Sequence, residues 1–206
     1  MYIPKDYLST DKTEIVSFMK RFPFALIITA QNNFPIATHL PFIIEEKEGE
    51  IFLLSHFAKA NPQWKLILKE KSLVVFNEPH SYISPKNYEK ELNVPTWNYL
   101  AVHASGPAEI IENAEQLLEK TISVFEQDYK NQWDKLPVEY KQKMYKGIVP
   151  FQIKVERMDA QKKLSQNKTE KERDNIISSL GKSEIDNERL IARYMGENET
   201  KLNKSR

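Results

Sequence analysis

The chain contains no cysteine. Disulfides, thiolate metal sites and cysteine nucleophiles are therefore excluded. An excess of either charge is also missing: 30 lysines and arginines stand against 29 aspartates and glutamates, a net charge of +1. Gripping nucleic acid by bulk electrostatics needs a strongly basic domain, so that mode is disfavoured, although a local basic patch is not. No long apolar run is present. "FALIITA" at 24–30 is far shorter than the roughly 20 residues a membrane-spanning helix requires. The start, "MYIPKDYLST", lacks the basic-then-apolar pattern of a secretory signal. Neither G-x-G-x-x-G nor a Walker A motif occurs, and no βαβ rhythm is visible, so a Rossmann domain is not expected. These absences predict a cytoplasmic protein without membrane partners.

What is there reads as globular. The 206 residues are 40% apolar and 29% charged, a balance that fits one domain with appendages or two small ones. "STDKTEIVSFMKRF" at 9–22 predicts a helix, with Asp11 and Glu14 spaced as a capping box and Ile15, Phe18 and Met19 on one face. Strand-like runs follow at 24–30, 35–44, 50–55 and 72–77. Longer ones follow at 97–111, bent near Gly106-Pro107, and at 149–158, where Phe151, Ile153 and Val155 alternate. "QNN" at 31–33 and "EEKEG" at 45–49 read as turns. Helices are predicted over 113–129 and 137–147, and as a pair over 169–195 broken at Gly181. About six strands joined mostly by short turns predict an α+β fold, an antiparallel sheet closing into a small barrel with flanking helices. The expected organisation is a barrel domain over 1–160, a helical extension over 161–197 packing on it, and a frayed polar tail over 198–206.

Four histidines, His39, His56, His80 and His103, lie at polar interruptions of apolar strands. Their separations of 17, 24 and 23 residues match no local metal motif, and no metal site is assigned. "HFAKANPQW" at 56–64 joins a strand to the start of a short helix. Such a corner exposes backbone N–H groups that favour an anion. Ser55 and Lys59 could add a hydroxyl and a positive charge, while Asn61 could cap the helix with Pro62 at its first position. A capped helix carrying a solvated lysine accounts for the same residues. "NVPTWNYLAVHASG" at 93–106 places Trp97 and Tyr99, with Asn98 between them, where aromatics could stack on a flat ring or fill a core or subunit interface. "KKLSQNKT" at 162–169 reads as a polar loop before a helix, with Lys163 and Gln166 as ligand contacts or as solvated residues. The helical pair after 169 could pass for a helix-turn-helix. It carries as much acid as base, which does not suit a recognition helix.

Taken together, "MYIPKDY", "PIATHLP", "HFAKANPQW", "PHSYIS", "VPTWNYLAVHASG" and "KLSQNK" resemble the PaiB family, in order, over residues 1 to about 195. The resemblance implies an FMN-binding split barrel, mainly antiparallel and six-stranded with flanking helices. It also implies a typically homodimeric transcriptional regulator, negative for sporulation and secreted-protease genes. By the same resemblance Thr38, His39, Ser55, His56, Lys59 and Asn61 are candidates for holding the FMN phosphate and ring edge. Trp97 and Asn98 are candidates for completing the site from a partner subunit, with Lys163 and Gln166 as further contacts. Pyridoxamine-phosphate oxidases, more distant split barrels, grip the phosphate with arginines, and the corner here offers Lys59 alone. Two other functions fit the same features: an FMN-dependent oxidoreductase, for which no catalytic residue is assigned, and a haem-binding split barrel. The second is weakened because no histidine follows residue 103.

Overall fold

The structure is a computed structural model that describes residues 1–204, with side chains through residue 200. Its elements in chain order are α1 (Lys12–Arg21), β1 (Phe24–Gln31), β2 (Phe34–Pro41), β3 (Ile43–Lys47), β4 (Glu50–Ala58), β5 (Ser72–Phe76), β6 (His80–Ile83), β7 (Thr96–Gly106), β8 (Ala108–Ile110), α2 (Ala114–Phe125), α3 (Lys130–Asp134), α4 (Val138–Lys146), β9 (Ile148–Lys154), β10 (Arg157–Lys163), α5 (Glu170–Gly181) and α6 (Asp186–Lys204). The chain divides into two compact units. One holds Met1–Ile15, Asn77–Val102 and everything from Asp159 on; the other holds Val16–Phe76 and His103–Met158.

The second unit contains two antiparallel arrays, β5–β1–β2 and β3–β4–β9–β8. Its hairpins are set by turn chemistry. Asn32 and Asn33 both take positive φ (51° and 63°), and so do Glu48 and Gly49 (52° and 84°). That is the two-residue turn whose twist matches paired strands, and Asn and Gly tolerate it best. The register Gln31↔Phe34 and Lys47↔Glu50 follows. Gly106 has a steric reason, since a Cβ there would overlap the Lys154 carbonyl. Phe42, Phe57, Phe76 and Phe151 are fully buried. Phe42 meets Phe76 and Phe151 edge-on at 6.0 and 6.2 Å, and Phe57 stacks on Phe151 at 5.0 Å. Each such ring removes enough apolar surface from water to contribute about 1.5–3 kcal/mol.

The first unit pairs β6 with β7, with β10 bordering β7, and adds α5 and α6. Thr169 caps α5 in a full capping box with Glu172, which satisfies two helix-end N–H groups at once. Arg173 reaches from α5 to Glu199 on α6 with a two-pronged ion pair at 2.6 and 2.8 Å. Ile176, Leu180, Ile191 and Met195 supply the buried faces of the two helices.

The predicted elements are present with finer divisions. The run at 35–44 breaks at the buried Phe42 into β2 and β3, and the run at 149–158 breaks into β9 and β10. With the run at 97–111 also divided, into β7 and β8, the six predicted runs take in nine strands, and β6 (His80–Ile83) lies outside all of them. Lys162 and Lys163 end β10 instead of lying in a loop. Helix α6 runs through Lys204, into the stretch expected to fray; residues 205–206 lie outside the described residues. Among the described residues no helix is long and apolar enough to cross a membrane.

Candidate functional site

The corner after β4 is built from side chains that bind each other. A tight 3-10 turn over Pro62–Lys65 starts with Asn61 as cap, whose Oδ1 accepts from Gln63 N at 3.0 Å. Asn61 Nδ2 donates to Thr38 Oγ1 at 3.0 Å, and Thr38 Oγ1 donates to Gln63 Oε1 at 2.6 Å. Gln63 is 1% exposed. Its Nε2 lies 3.0 Å from Ile36 O, 3.2 Å from Thr29 Oγ1 and 3.3 Å from Ile27 O. The amide thus inserts into the β1–β2 ribbon and fixes the corner to it. Buried polar groups require such partners, which explains why this connector carries so many of them.

The same bonds sort the residues expected here. Thr38 and Asn61 have their polar atoms occupied. Ser55, also buried, donates from Oγ to Pro41 O at 2.7 Å and anchors β4 to the break between β2 and β3. The backbone N–H of Lys59 donates to Gly147 O at 2.8 Å and that of Asn61 to Ala58 O at 2.9 Å. These N–H groups therefore point inward, away from any ligand. Three of the expected residues keep free groups. His39 is exposed on β2, its ring 5.9 Å from that of Phe24. His56 is half-buried on β4, and burial holds its pKa below the usual imidazole value, so the ring is neutral. The Lys59 ammonium is exposed and makes no hydrogen bond or ion pair among the described residues.

In the other unit the register Tyr82↔Trp97 and His80↔Tyr99 sets four rings on one face of β6 and β7. Trp97 is 52% exposed, 5.9 Å from the Tyr82 ring and 6.0 Å from His80. Asn98 points the opposite way and is fully buried. Its Oδ1 accepts from Ser165 Oγ at 3.1 Å, and its Nδ2 meets Met195 Sδ at 3.5 Å. Gln166 folds onto its own turn, donating to Lys162 O and accepting from Leu164 N. Asn98 and Gln166 thus hold the turn in which Ser165 takes a left-handed φ of 60°. Lys163 differs. It is half-buried, and its ammonium lies 2.5 Å from Thr96 Oγ1 with no carboxylate paired to it among the described residues. Burial pushes its pKa down.

Among the described residues no cluster of histidine and carboxylate side chains could hold a metal ion. One unit offers the Lys59 ammonium and the neutral His56 imidazole, and the other offers the Lys163 ammonium and an exposed aromatic face. Comparison with known proteins gives this set a context. The family described as "Putative FMN-binding domain" matches residues 1–157. "Protease synthase and sporulation protein PAI 2" from Bacillus subtilis (strain 168) is 42% identical, over 99% of each chain. The chain belongs to the PaiB family of FMN-binding domains. The FMN-binding-domain match takes in the corner and Trp97 and ends before Lys163 and Gln166. A protein from Emericella nidulans is 26% identical over 96% of this chain and 97% of its own length. Among solved structures, the flavocytochrome Anf3 from Azotobacter vinelandii aligns with a TM-score of 0.59 at 16% identity, over 76% of this chain and 69% of that one. The FAD and heme binding protein from Mycobacterium smegmatis aligns with a TM-score of 0.60 at 12% identity, over 76% and 73%. These likenesses establish the α+β antiparallel split-barrel fold of the PaiB-family chain.

Gln63 and Thr96 were not anticipated. Gln63 follows the Asn-Pro pair that starts the 3-10 turn, where a side chain is ordinarily solvated, and no sequence period marks it as buried. Thr96 is hidden for a different reason: its partner Lys163 is 67 residues away.

Proposed function

We propose that this protein binds FMN and acts, as a homodimer, as a regulator of the PaiB type. The observation that carries the reading is the 42% identity with PAI 2 along 99% of both chains, a protein whose name places it in protease synthesis and sporulation. The groups not saturated by internal bonding suit such a ligand. Lys59 and Lys163 each offer an ammonium to a phosphate as a compact point charge. Trp97 and its neighbouring rings offer an aromatic surface to a flat ring system. His39 and His56 offer imidazole nitrogens, and in neutral His56 one nitrogen donates while the other accepts. Thr38, Ser55, Asn61, Asn98 and Gln166 support these groups by fixing the backbone that carries them. Bound FMN would supply one- and two-electron chemistry, while the protein orients it and sets its electrostatic surroundings.

Direct reading of DNA is not part of this proposal. The arginines of α5 and α6 are engaged by carboxylates, Arg173 with Glu199, Arg189 with Asp186 and Arg193 with Glu197. Phosphate contacts need uncommitted cations, so regulation runs through a protein partner or through the flavin state. The test is a flavin-fluorescence titration with FMN and riboflavin, joined to sedimentation of the same sample. Saturable FMN binding by a dimer is expected; absence of any flavin binding would overturn the reading. A second reading, an FMN-dependent oxidoreductase, is favoured by the neutral half-buried His56, whose unprotonated nitrogen could accept a proton as a general base. Turnover of a reduced nicotinamide with an added electron acceptor would select it.

A further inference from the structure

The second unit carries a cleft of about 270 Å³ that the flavin reading does not use. It opens where α2 lies over the sheet of β3, β4, β9 and β8. Its floor is aliphatic: Leu54 of β4 and Leu117 of α2 are buried, and Ile111 packs against them. Its rim is basic. Lys47 of β3 and Lys120 of α2 both line the cleft, and both are held by one carboxylate, Glu45. Two ammoniums on one carboxylate leave a unit of positive charge uncompensated in that triad. The side-chain amide of Gln116 also lines the cleft and makes no hydrogen bond among the described residues. The remaining polar lining group, Gln152, is held by Glu109 on β8. Glu45 and Glu109 stand behind the lining, and no carboxylate lines the cleft itself.

Concave sites with an apolar floor and a few convergent polar groups are how proteins hold small molecules. We propose that this cleft is a separate small-molecule site that takes an organic anion, a carboxylate carried on a short apolar or aromatic body. The apolar body lies on Leu54, Leu117 and Ile111. The carboxylate meets Lys47 and Lys120, and the Gln116 amide donates to it. The volume sits just under the roughly 300 Å³ at which sites for drug-sized ligands begin, so the occupant is smaller than a flavin nucleotide. Glu45 has a positioning role, since it holds the two lysine heads together at the rim.

The probe pair is 4-phenylbutyrate and 4-phenylbutanol, which share an apolar body and differ in charge, titrated into the full chain by calorimetry or ligand-observed NMR. Wild type should bind the acid roughly five- to tenfold more tightly than the alcohol, the scale of partly exposed charge contacts, and salt should shrink the difference. The double substitution Lys47→Gln/Lys120→Gln should remove the preference while leaving alcohol binding unchanged; the glutamine amides can still donate to Glu45, and retained alcohol binding reports that the cleft is intact. Ile110→Trp, at the lip of the cleft, should weaken both probes. None of these substitutions should alter FMN titration. Equal affinity for acid and alcohol, no binding of either, or a preference that survives the double substitution overturns the proposal. Displacement of FMN by phenylbutyrate would also overturn it, because the acid would then occupy the flavin site. A protein that binds phenylbutyrate but no flavin would sink the flavin reading and leave this one standing.

Discussion

Gln63→Met removes the amide that fixes the corner while keeping the length of the side chain. The two N–H groups of Nε2 are shared among Ile36 O, Thr29 Oγ1 and Ile27 O, and Oε1 accepts from Thr38. That amounts to about three net hydrogen bonds, at about 0.5–1.5 kcal/mol each. The sulfur of the substitute satisfies none of them, and the site admits almost no solvent to take their place. Stability should fall by about 2–4 kcal/mol, with an unchanged denaturant slope. Urea unfolding followed by tryptophan fluorescence measures this, with Trp64 next to the altered position. Gln63→Glu gives a sharper form of the test. Its carboxylate faces acceptors, so the folded-state pKa of the new group rises above its unfolded value. The stability it allows is fully present below the unfolded carboxylate pKa and is lost as pH rises through the raised folded one. This variant should therefore lie closer to wild type at pH 4 than at pH 7. Lys59→Ala is the control, and as a surface change it should stay within about 0.5 kcal/mol of wild type. If Gln63→Met also stays within that margin, the corner is not held by this amide and the assignment of Thr38 and Asn61 as supporting residues fails.

Lys163→Gln should weaken FMN by about ten- to hundredfold, matching about 1.5–3 kcal/mol for a bond to a charged group, and leave riboflavin unchanged. Lys59→Ala, at an exposed ammonium whose neighbouring N–H groups are internally bonded, should cost FMN at most about fivefold; equal changes for the two flavins would reject a phosphate role for either lysine. Sedimentation at micromolar concentration should show a dimer, and Trp97→Glu on the exposed ring face should dissociate it; a wild-type monomer refutes the dimer. Mobility-shift assays should show weak, unselective DNA binding, and a steeply salt-dependent, sequence-selective shift would contradict the charge argument. Burial lowers the pKa of His56, so its contribution is complete above the unfolded imidazole value near 6.5 and declines as pH falls toward the folded value. His56→Gln should flatten the acid limb of the stability profile, and an unchanged limb would show that another group governs it.

The hairpins were legible because their information is local. Asn32, Asn33 and Gly49 carry the backbone preference of the turns they form, and the alternation through β1, β4 and β9 marks the inward faces. Element boundaries were less legible where tertiary packing decides them. Phe42 belongs to an apolar run and reads as mid-strand. Its N–H donates to Pro23 O and its ring packs on Phe76 and Phe151, and that combination breaks the run into β2 and β3. Helix α6 outlasts the polar text that suggested fraying. A helix already nucleated upstream extends at one hydrogen bond per residue, so a polar sequence does not by itself end it.

The candidate site shows the same division more severely. Residue type reveals that a side chain can bind a ligand, but not whether the fold has already bound it. Ser55, Thr38 and Asn61 are as capable of holding a phosphate as Lys59, and each is engaged by a partner 14 to 25 positions away in the chain. Asn98 is engaged across 67 and 97 positions. The groups that remain without a charged or saturating partner, at Lys59, Lys163, His39 and His56, bear a full charge or an imidazole. A buried hydroxyl or amide can be satisfied by one or two neutral partners. A buried ammonium is far costlier to satisfy and needs an opposite charge. Lys163 has a hydroxyl where that opposite charge belongs. In a family of FMN-binding domains, a phosphate is a counter-charge of the right kind, which is why Lys163→Gln, read against riboflavin, is the substitution that separates a ligand contact from a tolerated half-buried lysine.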